Sequence, residues 1–169
     1  MRRSRIVISL IAVVVAIVIQ TTVFAAGRIE PFGVAPALVM LVLIGVAPHI
    51  ETEYLVLLGF TAGILVDLIG SGTLGLWAMA YTAVAYVAGR FRARFSDSVF
   101  MSLVAALVLT VFGGLVYVFL GTLFGQETVG EPNVVAKIVL PAVWNLVLAY
   151  PVFWALRYAF APRDRKWAS

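Results

Sequence analysis

Apolar residues fill this chain in six long blocks, at 6–26, 34–48, 54–69, 74–88, 99–124 and 134–160, the last interrupted by Pro141 and Pro151. Each block predicts a membrane-crossing helix, since a crossing takes roughly 20 consecutive apolar residues. The second and third are short against the usual range of about 17–25 and need flanking residues to reach across. The third and fourth cannot be one helix. Residues 54–88 would make a rod of about 52 Å at ~1.5 Å per residue, against a hydrocarbon core of about 30 Å. The stretch "GSGTLG" at 70–75 must therefore reverse the chain, and its glycines permit a tight turn.

Composition agrees with the blocks. The chain is 63% apolar and only 12% charged over 169 residues, where a soluble domain carries about 25% charged residues. The expected fold is therefore an all-α integral membrane protein of six transmembrane helices in a single domain, 1–169, with no room for a soluble domain. Cysteine is absent, which excludes disulfides, thiolate catalysis and cysteine-metal sites. The pI of 9.8 does not point to nucleic acid, because nearly all basic residues border apolar blocks, as topology signals and headgroup contacts do.

Charge placement sets an orientation. With the N-terminus cytoplasmic, Arg2, Arg3, Arg5, Arg90, Arg92, Arg94, Arg157, Arg163, Arg165 and Lys166 fall on the inner side, and Arg28 and Lys137 on the outer side. Ten against two follows the positive-inside rule and puts both termini in the cytoplasm. The acidic loop 49–53 lies inside in this arrangement, and acidic residues count little in the rule. The N-terminus also has the form of a secretory signal, with "VFAA" at 23–26 as a possible cleavage site; the expectation is an uncleaved first helix, since its apolar run is long enough to span.

Candidate chemistry is sparse. Gly59, Gly63, Asp67 and Gly70 fall within an arc of about 80° on the third helix, and Gly75 closes the turn beyond it. A bare-backbone face lets another helix approach closely, either within the chain or from a partner. Asp67 is the only acid within a span, and an intramembrane acid is a functional hypothesis by default. It could bond donors in the turn at 71–75, reach external water, or fix the register of a partner helix. Gln20 and Asn145 read as polar ties between helices. Thr110, Gly113, Gly114, Tyr117 and Gly121 lie on roughly one face of the fifth helix and read as a close-packing seam first and a pocket wall second, and Trp144, Tyr150, Trp154 and Trp167 read as belt or packing residues. Arg90, Arg92 and Arg94, interleaved with aromatics, read as a cytoplasmic interface with anionic headgroups or with a protein partner. Gly70, Gly72 and Gly75 also spell G-x-G-x-x-G, but between two membrane helices this is no dinucleotide site. His49 with Glu51 and Glu53 reads as a polar loop rather than a metal site. No catalytic set, cofactor site or metal site is expected.

Taken together, "GFTAGILVDLIGSGTLGLWAMAYTAVAYVAGRF" at 59–91, with its Gly59-x3-Gly63-x3-Asp67 pattern, Gln20 in "VIQTTVF", Pro36 and Asn145, resembles the MreD family of rod shape-determining membrane proteins. One departure is Pro36-Ala37-Leu38, where relatives often carry Pro-Asp-Leu. The resemblance implies a non-enzymatic scaffold of the bacterial cell-elongation (rod) complex in the cytoplasmic membrane. Its implied partners are MreC directly and MreB, RodA and a class B penicillin-binding protein indirectly, together with membrane lipids and with no nucleic acid. It also implies a fold like the S component of energy-coupling-factor vitamin transporters. On this view the glycine ladder would seat the single helix of MreC, with Asp67 fixing its register. An alternative is a transport subunit with an outward pocket lined by Asp67, Gln20, Trp77 and Tyr81.

Overall fold

The computed structural model describes residues 2–24, 35–70, 72–96, 99–126 and 134–161. Arg28, Ser71, Arg163, Arg165, Lys166, Trp167 and the last two residues of the 23–26 motif lie outside them. The described residues form six helices: α1 (Arg2–Thr22), α2 (Leu38–Val46), α3 (Thr52–Ile69), α4 (Leu76–Ser96), α5 (Val99–Leu123) and α6 (Val134–Phe160). Four of them, α1, α3, α5 and α6, are long and apolar enough to cross a membrane. α4 has the length, with 21 residues, but its tyrosines and arginines make it less apolar. α6 runs through both Pro141 and Pro151, as membrane helices tolerate.

α2 departs from the expected span. It has nine residues, about 14 Å at ~1.5 Å per residue, less than half of the roughly 30 Å hydrocarbon core. Its sequence, LVMLVLIGV, has no polar face, and a helix that is apolar all round belongs inside a protein. Accordingly Leu38 to Ile44 and Val46 are all buried, and α2 packs against every other helix. The described helix at the second block is thus an interior strut rather than a full crossing.

Around this strut α3 packs on α4, α4 on α5 and α5 on α6, while α1 lies against α2, α3 and α6. The core is built from α2 with the inner faces of the others, including Val13 and Ile17 of α1, Leu55 and Leu58 of α3, Tyr81 and Val84 of α4, and Leu109 of α5. Glycines set the closeness of fit. A Cβ at Gly113 on α5 would lie 2.5 Å from the Met40 Cε of α2, and one at Gly45 would lie 2.6 Å from Leu156 Cδ1 of α6. The outside is as apolar as the inside. On α1 alone Val7, Leu10, Ile11, Val14, Val15 and Val18 are exposed, a surface that suits lipid or another helix and not water.

Candidate functional site

The glycine face of α3 is occupied by α4 of the same chain. A Cβ at Gly59 would stand 2.8 Å from both the Ala85 Cβ and the Tyr81 carbonyl oxygen; one at Gly63 would fall on the Ala78 Cα and 2.5 Å from its nitrogen. No side chain fits where backbone meets backbone this closely. Gly70, exposed at the end of α3, contributes no such contact: a Cβ there would meet only atoms of its own turn. The expectation that the ladder seats a partner's helix is therefore corrected, because α4 already fills the groove.

Asp67 completes the same contact. It is 5% exposed, and its two oxygens accept three backbone hydrogen bonds from the start of α4. Oδ2 takes the N–H of Gly75 at 2.8 Å and of Ala78 at 3.1 Å; Oδ1 takes the N–H of Trp77 at 3.2 Å. The first N–H groups of any helix lack partners within it, and in an apolar surrounding each costs free energy. Asp67 therefore caps α4 from the neighbouring helix, where the helix dipole also favours a carboxyl group. Gly75 sits at φ +101°, a left-handed conformation that glycine adopts without strain, and this aims its N–H at Asp67. Beside the cap, Trp77 stacks on Tyr117 of α5 with ring centroids 4.3 Å apart, and Gln126 donates to Thr73 at 2.5 Å.

Two further polar residues, Gln20 and Asn145, serve the start of α2. Gln20 Oε1 accepts the Val39 N–H at 2.9 Å. Asn145 Nδ2 donates to the Ala37 carbonyl at 3.0 Å and to Thr110 Oγ1 at 2.9 Å, and Thr110 in turn donates to the Ala106 carbonyl at 2.6 Å. α1, α5 and α6 are thereby tied to one end of the strut. Asn145 Oδ1 and the hydroxyl of the fully buried Tyr81 make no hydrogen bond among the described residues. The residues expected to line an outward pocket do not converge on open space: Asp67 and Gln20 are directed at backbone donors, while Trp77 and Tyr81 pack as core.

The three arginines of α4 part company. Arg90 and Arg94 are exposed, and Arg94 lies over the Phe91 ring at 5.6 Å. Arg92, two residues from each and so about 200° round the helix, turns inward and donates from Nη1 to the Ile50 carbonyl at 3.0 Å. It meets there the loop after α2, where His49 stacks on Phe160 of α6 at 4.2 Å. Burial first, then the nearby Arg5 and Arg157, push the His49 imidazole below its ordinary pKa of 6.5. The three arginines are thus not one patch, and the step of about 200° between alternate residues of a helix is the sequence signal that separates them.

Neither a search of curated proteins nor one of solved structures finds a match. A family profile, rod shape-determining protein MreD, matches residues 1–159. That span takes in five helices whole and α6 up to its last residue, with the Asp67 cap and the polar ties to α2. The chain therefore belongs to the MreD family of rod shape-determining proteins, multi-pass proteins of the bacterial cytoplasmic membrane.

Proposed function

We propose that the chain is a non-enzymatic scaffold of the cell-elongation complex, holding MreC by lateral helix contact and through it supporting peptidoglycan synthesis by RodA and a class B penicillin-binding protein alongside MreB. Family membership carries this reading. The geometry supports it: Gln20, Asp67 and Asn145 bond the starts of the chain's own helices, which leaves apolar outer faces as the means of contact. Since α4 fills the glycine ladder, the MreC span is assigned to an outer face. The exposed row on α1, recurring at steps of three and four residues, has the periodicity a partner helix requires. The reading includes both termini in the cytoplasm and an S-component-like bundle. In support, Arg5 near the start of α1 and Arg157 near the end of α6 both flank His49, so the two terminal helices bring their basic ends together.

The chain has no cysteine, so an introduced one is unique. Single cysteines at Val14 and Val18 of α1, Phe119 of α5 and Trp154 of α6 are to be crosslinked in membranes to cysteines along the MreC span. Crosslinks confined to the α1 positions are expected. A complex that co-purifies with no crosslink from α1 would remove the assigned face; failure of the two proteins to co-purify at all would remove the scaffold reading.

A further inference from the structure

At the end of the bundle that carries the start of α1 and the end of α6, a cavity of about 470 Å³ opens between Arg5, Ile6, Pro48, His49, Ile50, Glu51, Tyr54 and Arg92. Its volume lies within the range of about 300–1,000 Å³ typical of ligand pockets. A smaller cavity of about 80 Å³ shares Pro48 and His49 with it and reaches Arg157. Three separate helices, α1, α4 and α6, thus bring guanidinium groups to one loop.

This differs from a general coating of positive charge. Arg90 and Arg94 face outward from the same turns of α4, whereas Arg92 is half-buried and fixed to the cavity wall by its bond to the Ile50 carbonyl. That bond uses one of five N–H donors of a planar fork suited to phosphate and carboxylate oxygens. Tyr54 adds a hydroxyl, and the first turn of α3 opens on the cavity with no side-chain cap from Glu51. Among the described residues Glu51 is the one acidic side chain on the wall, and it is exposed. Two arginines against one glutamate leave a net positive pocket. His49 lies on the same wall, where burial and then Arg5 and Arg157 disfavour its protonation.

We propose that this cavity binds a phosphate group, held by Arg5 and Arg92 with Tyr54 and His49 beside them. Two sources share that chemistry: the headgroup of an anionic phospholipid in the adjoining leaflet, and a free phosphate ester. The site is independent of the MreC contact and of the direction in which the chain crosses the membrane.

The test uses the full chain purified in neutral detergent. Native mass spectrometry would follow retention of phosphatidylglycerol against phosphatidylcholine, and thermal shift would follow glycerol 3-phosphate and inorganic phosphate. Arg5→Gln and Arg92→Gln are expected to weaken phosphate binding about tenfold each, and Arg90→Gln and Arg94→Gln to change it less than twofold. Arg92→Gln also removes the tie to Ile50; Arg5→Gln, an exposed position without that tie, keeps the comparison decisive if the former fails to fold. Preference for phosphatidylglycerol with no response to the soluble esters assigns the lipid source; binding of the esters alone assigns the free one. His49 is the chain's only histidine, so its imidazole resonances are unambiguous, and the bound anion is expected to raise its pKa. Equal losses for all four arginine variants, or no binding in either arm, would overturn the proposal.

Discussion

Removing the carboxyl group of Asp67 isolates the role assigned to it. In Asp67→Ala three N–H groups at the start of α4 lose their acceptor. An unsatisfied buried donor costs about 1–3 kcal/mol. The bonds to Gly75 and Trp77 are part-buried and take the low end, about 1 kcal/mol each; that to Ala78 is fully buried and takes about 2. The loss is then about 4 kcal/mol, or between a hundred- and a thousandfold in the local opening equilibrium at ~1.4 kcal/mol per decade. Asp67→Asn separates the acceptor from the charge. Oδ2 alone holds two of the three N–H groups, so an amide oxygen placed there keeps both, and the amide NH₂ faces the Trp77 N–H. The expected cost is about 1–2 kcal/mol, or roughly tenfold. Hydrogen exchange read by mass spectrometry on peptides covering 70–80, in detergent, resolves both steps. Wild-type exchange rates there in Asp67→Ala would refute the cap. Equal acceleration in the two variants would show that charge, and not the paired acceptance by one oxygen, holds the helix end.

Three further outcomes follow from the packing and the loop chemistry. Gly63→Ala places a methyl group on the backbone of Ala78, which cannot yield, so α3 and α4 must separate at a cost of about 1–3 kcal/mol or more. Gly114→Ala meets Ile138, with Cγ2 at 3.2 Å, Cγ1 at 3.5 Å and the backbone Cα no nearer than 3.6 Å, and gains helix propensity of up to about 1 kcal/mol; its thermal midpoint should fall far less than that of Gly63→Ala. Asn145→Ala should cost only about 1 kcal/mol, because Ala37 keeps the Leu41 N–H and Thr110 keeps its bond to Ala106, whereas Asn145→Asp sets acceptor against acceptor at the Ala37 carbonyl and should be the worse of the two in the same assay. The folded chain holds the His49 pKa below 6.5, so as pH falls the unfolded chain takes up that proton first. This contribution is therefore complete above about pH 6.5 and declines below it; the thermal midpoint should drop between pH 7.5 and 5.5, and that slope should vanish in His49→Gln.

Helix content was legible because block length and hydropathy report the lipid solvent directly. The turn at 70–75 followed from an argument about length alone. What the blocks could not report is which partner a face meets. A ladder of glycines at four-residue steps looks the same whether it receives a neighbour in the chain or another protein's helix, and only the placement of α4 decides. α2 was the other gap. Its brevity was visible, but a run of apolar residues without a polar face fits a buried strut and a marginal span equally well. The arginines at 90, 92 and 94 are close in sequence, but the helical angle between neighbours in that row divides them between two faces.

A common logic links Gln20, Asp67 and Asn145, which hydropathy alone scores as isolated defects. α2 is too short to bring its ends to the headgroup layer by itself, and α4 begins immediately after a tight glycine turn. Both therefore start in places where water cannot be relied on to satisfy their first amides. Gln20 meets that need for α2 and Asp67 for α4, while Asn145 adds a second bond to the Ala37 carbonyl, each reaching across from a different helix. The consequence bears on function. If the polar groups are committed to internal helix ends, recognition between this chain and a membrane partner has little hydrogen bonding to draw on and must rest on the shape of apolar faces. Disruption of the complex should then come from changes of bulk on an outer face, such as Val14→Trp on α1, with little response to conservative polar swaps there. Weakening the complex through Asp67 or Asn145 should track the loss of fold stability in those variants, measured on the chain alone, and partner capture that fell while stability held would place one of these residues at the interface after all.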